Sequence, residues 1–196
     1  MLKEITERRS VRKFKPNSIP KAAVEEIILA GILAPSAKNR QPWRFTITEG
    51  KSKAELCEIM EAGLKRERIS PLLPESAGGI ADAEHTLSIM RQAPLLIFIT
   101  DIYGSDLTAH LTADEHEFEL CNTLSIGAAI QNMILTAQNL GIGSLWICNT
   151  CFAQRELNAA LGSELRAVLA LGYPAESPPP RPRKKIEEIT EWRNQI

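Results

Sequence analysis

Residues 124–137, "LSIGAAIQNMILTA", constrain this chain most. The stretch has helical spacing and is apolar nearly all round. A helix built from it has little face to give to water and should run through the middle of a core. Ser125, Gln131 and Asn132, with Asn122 and Thr123 just before, argue against a lipid span. No run of the sequence reaches about 18 apolar residues, so no membrane span is expected. A chain of 196 residues is long enough for one such core, and one domain over 1–196 is the default.

Other elements arrange themselves around that helix, which follows the acidic stretch "TADEHEFE" and reaches about Leu140. "NSIPKAAVEEIILAGILAPS" predicts a helix capped by Ser18, with Pro20 in its first turn. Val24, Ile27, Ile28 and Ile32 form its apolar stripe, and Pro35 closes it. "WRFTITEG" alternates like a strand. "KSKAELCEIMEAGLKRE" predicts a helix with Leu56, Ile59, Met60 and Leu64 on one face. Residues 69–84 mix Pro, Gly and Ser and read as an irregular excursion.

"HTLSIMRQ" follows as helix and "APLLIFITDIY" as the clearest buried strand. "GIGSLWICNT" reads as turn and strand, "AQRELNAALG" as a short helix and "RAVLALGYP" as a strand. A proline-rich arm begins near residue 174 and carries "KKIEEITEW" as a last short element. Strands mix with helices without regular βαβ alternation. The class is α+β, one sheet flanked by helices.

The chain carries 23 basic and 24 acidic residues, a net charge of −1. That balance argues against a general binder of nucleic acid or membrane surfaces. The N-terminal residues show no apolar signal region, and four irregularly spaced cysteines suit a reducing cytoplasm.

Against this neutrality stand two basic knots. "ERRSVRKF" holds Arg8, Arg9, Arg12 and Lys13 around Ser10, and Lys15 follows. The late arm holds Arg181, Arg183, Lys184 and Lys185. Guanidinium forks bind phosphate bidentately and keep their charge, so the knots could cradle a phosphate. On charge alone a solvated face is the simpler account. Between helix and strand lies "APSAKNRQPWRF", a polar loop of the kind that meets the edge of a flat heterocycle. A plain connector would look similar.

Taken together the motifs resemble the nitroreductase family of FMN enzymes. The matching pieces are "RRSVRKF", "APSAKNRQPW", "RQAPLLIFI", "SIGAAIQNMILTAQNLGIGSLWI" and "LGYPAESPPPRPRKKIEEI", in that order along nearly the whole chain. The resemblance implies a nitroreductase-like α+β fold with a single mixed, mainly antiparallel sheet flanked by helices. It implies an FMN phosphate gripped by Arg8, Arg9, Ser10 and Arg12, and completed by Arg181 and Arg183. Pro35, Ser36, Ala37, Asn39 and Gln41 would line the flavin of the partner subunit in a homodimer. Ala37 stands where the family usually has a second serine. Ile147, Cys148 and Asn149 would run along the isoalloxazine, where some relatives have Glu-Gly in place of Cys148-Asn149.

The implied reaction passes hydride from NADH or NADPH to a nitroaromatic, quinone or activated alkene by a ping-pong route, with no side chain needed as acid or base. FAD fits worse, because no G-x-G-x-x-G turn is present. Two rivals are another flavin reaction on the same fold, such as flavin fragmentation or reductive dehalogenation, and a non-enzymatic binder of a phosphorylated ligand.

Other motifs point to less. "CNTC" (148–151) lacks the second pair that a zinc ribbon needs. It also ends a strand, where a thioredoxin-like dithiol opens a helix. His110, Asp114, His116 and Glu117 read as solvated acidic surface, since a spacing of six does not put the two histidines on one helical face. Gly127, Ala128 and Ala129 suit close helix approach, in the core or at a dimer interface. Trp43, Trp146 and Trp192 read as core or interface residues.

Overall fold

Seven consecutive buried residues, Leu95–Asp101, form the strand around which the molecule is built. We describe a computed structural model covering residues 1–106 and 108–193. The last three residues of the arm therefore lie outside the described residues. The helices are α1 (Lys3–Glu7), α2 (Lys21–Ile32), α3 (Gly50–Ile69), α4 (Ile80–Gln92), α5 (Ala113–Asn139), α6 (Gln154–Leu161) and α7 (Ile186–Ile189). The strands are β1 (Trp43–Thr48), β2 (Leu95–Asp101), β3 (Gly143–Ile147) and β4 (Glu164–Gly172).

All three strand pairings are antiparallel, in the order β1-β2-β4-β3. Trp43 faces Asp101, Leu95 faces Leu171, and Gly143 faces Gly172. The period of two sorts each strand into two cores. Leu96 and Phe98 join α3, α4 and α6 on one side, while Leu95, Ile97 and Ile99 join α2 and α5 on the other. With both faces covered, β2 is apolar without a break from Leu95 to Ile99, and β4 from Ala167 to Leu171.

The parallel element is a single bridge from Ser10 to Ser144 at the β3 edge. The Val11 N–H donates to the Ser144 carbonyl at 3.0 Å. A Cβ on Gly143 would sit 2.9 Å from Val11, and one on Gly172 would sit 3.0 Å from the Phe14 Cβ. This cross-strand glycine pair lets the N-terminal segment lie flat on the sheet edge. The segment is closed from outside by the arm. Lys15 N–H donates to the Tyr173 carbonyl, Ala175 N–H to the Lys13 carbonyl, and the Glu176 carboxylate accepts from the Arg12 N–H at 2.5 Å. The two basic knots, far apart in sequence, thus lie side by side.

Three expectations need correction. Ser18 does not cap α2; the helix starts at Lys21 with Pro20 at the cap position, where its missing N–H costs nothing. The excursion is shorter than expected, because Pro74–Gly79 forms a 3-10 turn and α4 already begins at Ile80. It is tied down by buried Glu67, whose carboxylate accepts from the N–H groups of Leu72 and Leu73 at 3.0 and 2.7 Å. The acidic stretch is not a separate segment but the first turns of α5, opened by a Thr112–Glu115 capping box.

α5 is long and apolar enough, by length and composition alone, to cross a bilayer. In the fold it packs on the sheet and α2, burying Ile126, Ala129, Ile130, Met133, Ile134 and Ala137. Leu124 stays 65% exposed and nearby Leu120 59%, so one flank of this central helix is open in a single chain.

Candidate functional site

Arg8, Arg9, Ser10 and Arg12 line a cavity of about 620 Å³ with Arg181, Arg183 and the prolines between 178 and 182. None of these five arginines has a carboxylate within ion-pair distance among the described residues. Their guanidinium contacts are backbone carbonyls. Arg9 donates to Thr6 and Arg8, Arg12 to Ser10 at 3.2 Å, and Arg183 to Arg181 and Pro182. Burial pushes the Arg8 guanidinium below its ordinary pKa, and the charges of Arg183 and Arg9 push the same way. The one carboxylate held at this segment, that of Glu176, is taken by the backbone N–H groups of Arg12 and Lys13, and guanidinium groups gathered without ion-pair partners suit an anion.

A second cavity of about 490 Å³ shares Arg12 and Arg181 with the first. Leu145, Trp146, Ile147, Cys148 and Asn149 form one wall, at the end of β3. Asp82, His85, Thr86 and Ile89 of α4 form another. Asn149 Nδ2 donates to Thr86 Oγ1 at 2.9 Å and ties the two walls together. The cationic cavity and the strand-lined one are thus neighbours, an arrangement that suits a long ligand with an anionic tail and a flat head.

The loop before β1 is expected to serve the flavin of a partner subunit, not the cavities of its own chain. Pro35, Ser36, Ala37, Asn39 and Gln41 line neither cavity. Their loop feeds β1, the sheet edge opposite β3, three strand spacings or about 14 Å away across the sheet. The loop is nonetheless built with care. Lys38, Asn39 and Gln41 all have positive φ, near 50°. Such backbone persists where surroundings over-determine it. Ser36 Oγ accepts from the Gln41 N–H at 3.0 Å, Ser125 Oγ accepts from the Ala37 N–H, and Arg40 donates to Asn122 Oδ1 at 2.7 Å while lying 3.9 Å over the Phe118 ring.

Cys148 and Cys151 also differ from expectation. The strand ends at Ile147, and Cys148 caps a 3-10 turn, Asn149–Ala153, that runs directly into α6. The pair therefore does open a helical segment. Burial pushes both thiols above their ordinary pKa, which leaves them protonated and poorly nucleophilic. Among the described residues no group of three or more His, Cys, Asp or Glu is placed to hold a metal. Trp43 is buried, Trp146 is 39% exposed and Trp192 is 80% exposed.

The nitroreductase family model matches residues 5–173. The chain belongs to the nitroreductase family. Among relatives, YfhC of Bacillus subtilis, assigned by name to the NAD(P)H nitroreductases, is 27% identical over 189 residues, covering 94% of this chain and 89% of its own. An NADH dehydrogenase of Thermus thermophilus is 26% identical over 198 residues, covering 95% and 92%. A Desulfovibrio desulfuricans protein named as a nitroreductase, solved in complex with FMN, superposes with a TM-score of 0.71 at 26% identity over 98% of this chain and 96% of that one. A BluB-like flavoprotein of Clostridium difficile 630 gives 0.72 at 26% identity over 97% of each. The nitroreductase-type α+β fold is thus common to chains of nearly the same extent.

Asp82, His85 and Thr86 belong to the site's wall, yet sequence reasoning passed over them. A signal was present. Ala83, Leu87 and Met90 are the buried stripe of α4, so Asp82, His85 and Thr86 had to face elsewhere.

Proposed function

We propose that the chain is an FMN-dependent oxidoreductase that takes hydride from NADH or NADPH and passes it to a small flat acceptor such as a nitroaromatic, quinone or activated alkene. The observation that carries this reading is the cavity of five arginines, without ion-pair partners among the described residues, which shares Arg12 and Arg181 with a neighbouring strand-lined cavity. FMN fits the residues present. Arg8, Arg9, Ser10, Arg12, Arg181 and Arg183 would hold its phosphate, and Ile147, Cys148 and Asn149 would run along the ring. The bound flavin supplies the two-electron chemistry. The chain's own residues would neutralise the phosphate and seat the ring beside the end of β3, in a cavity we take to admit one flat ligand at a time. Nicotinamide and acceptor then take turns, which makes the kinetics ping-pong. The names of the curated relatives, NADH dehydrogenase and NAD(P)H nitroreductase, support a nicotinamide donor.

The site is completed in a homodimer. The Ser36–Gln41 loop cannot reach the cavities of its own chain from the far sheet edge, and the open flank of α5 offers an apolar contact surface. Two-fold symmetry then gives two equal sites. The protein works in the cytoplasm, without nucleic acid or membrane.

The purified protein should carry a flavin that denaturation releases and mass spectrometry identifies as FMN. Absence of flavin even after reconstitution with excess FMN would overturn the reading. A second reading keeps cofactor and fold and changes the reaction; the likeness to a BluB-like flavoprotein favours it. Steady turnover of NAD(P)H with a quinone or nitroaromatic separates the two.

A further inference from the structure

We propose that His85 is the proton donor to the acceptor, so that reduction is completed by a side chain of α4. The inference rests on the flavin reading above and goes beyond it, since that reading assigns no acid.

Reducing a quinone takes two electrons and two protons. Hydride brings both electrons and one proton from the reduced flavin. The second proton must reach the carbonyl oxygen. The ring-end cavity is lined by five titratable side chains, Arg12, Asp82, His85, Cys148 and Arg181. Guanidinium groups hold their protons at working pH. A carboxylate such as Asp82 accepts hydrogen bonds but has none to give. Cys148 is a thiol pushed up by burial, and so a reluctant donor. Imidazole is the side chain that gives and regains a proton readily near neutrality. By elimination His85 is the competent side-chain donor among the described residues that line the cavity.

Its placement fits the task. His85 stands one turn beyond Asp82 on the same side of α4, and its neighbour Thr86 is bonded to Asn149 at the end of β3. Glu84, next in sequence, is turned away to Arg68 at 2.8 Å and leaves the imidazole free of it. The His85 residue is exposed as well as cavity-lining, so water can restore the proton after each turnover. In the step, the acceptor carbon or ring takes hydride, the acceptor oxygen takes the imidazolium proton, and neutral imidazole is left.

The test uses FMN-loaded protein reduced with dithionite, which makes it independent of the nicotinamide donor. Reoxidation is followed by stopped flow with a quinone, which needs a proton, and with ferricyanide, a one-electron oxidant that takes none. His85→Gln should slow the quinone reaction about a hundredfold. It should leave the ferricyanide reaction alone. His110→Gln, at a residue that lines neither cavity, should behave as wild type. In the oxidised protein, a bound quinone or nitrobenzoate should shift the His85 imidazole resonances in NMR spectra and leave those of His110 and His116 in place. Equal slowing of both oxidants, an unchanged quinone rate, or unmoved His85 resonances would each overturn the proposal. Failure of NADH and NADPH to reduce the wild-type flavin would instead count against the parent reading.

Discussion

Replacing Arg12 by Ala should weaken FMN binding strongly, while Lys13→Ala should hardly matter. The two residues are adjacent, carry the same charge and sit on the same segment. Arg12 is on the wall shared by both cavities, whereas Lys13 is exposed and lines neither. Truncating Arg12 leaves the segment seated, because its anchors are backbone groups. The Val11 N–H to Ser144 bond, the Lys15 N–H to Tyr173 bond and the Arg12 N–H to Glu176 bond all survive. What is lost is a charge-assisted phosphate contact, about 1.5–3 kcal/mol. At 1.4 kcal/mol per decade that is roughly a 10- to 150-fold rise in Kd. An exposed lysine contributes about 0–1 kcal/mol, or less than about fivefold. The assay is fluorescence titration of apoprotein with FMN at fixed ionic strength, repeated with riboflavin. Riboflavin lacks the phosphate, so its weaker binding should be nearly indifferent to Arg12. Equal losses for Arg12→Ala and Lys13→Ala would mean that a diffuse field, not a built cradle, holds the phosphate. Equal losses for FMN and riboflavin would mean that Arg12 supports the fold instead.

Arg8→Met should raise the melting temperature of the apoprotein, since burial and two neighbouring cations oppose the wild-type charge, and should abolish most of the stabilisation that added phosphate gives the wild type in a thermal scan. Leu124→Glu should yield a monomer by ultracentrifugation that has also lost tight FMN binding; a monomer that still binds FMN tightly would refute the shared site. Glu67 is held below the ordinary carboxylate range: burial works against this, but the N–H groups of Leu72 and Leu73 and the Arg66 guanidinium outweigh it. Its stabilisation is therefore complete above the unfolded pKa of about 4.3 and is lost as pH falls through the lower folded value. Glu67→Gln should cost about 1–3 kcal/mol at neutral pH in urea unfolding and flatten the acid limb of the stability profile. Cys148→Ser should leave flavin content and turnover nearly intact, because the nicotinamide supplies the hydride, the flavin accepts it, and the thiol is left with no covalent role.

Much of this fold is legible in the sequence for a physical reason. A strand buried on both faces, like β2, must be continuously apolar, and a helix that fills a core, like α5, leaves little room for polar residues. Both patterns survive without neighbours. Boundaries set by local competition do not. Ser18 has the right chemistry for a cap, but Pro20 with its fixed φ decides where α2 starts. The Gly78-Gly79 pair hides the first turn of α4 among breaker residues. Topology is also invisible locally. Nothing in "APSAKNRQPW" says that β1 lies at the far edge from β3; the expectation that this loop serves a partner subunit comes from the family resemblance. The basic knots could be seen in the sequence, but their meeting depends on pairing between residues 10–15 and 173–176, which no periodicity reports. His85 was missed because its helix emerges from the least regular part of the chain.

The central claim is that the two basic knots hold an FMN which a nicotinamide reduces. Anaerobic titration of the FMN-loaded protein with NADH and with NADPH tests it most directly. The account predicts that at least one of them bleaches the flavin completely at one equivalent per site, and that a quinone added afterwards, without nicotinamide, restores the oxidised spectrum. A flavin that dithionite reduces but neither nicotinamide touches would contradict it.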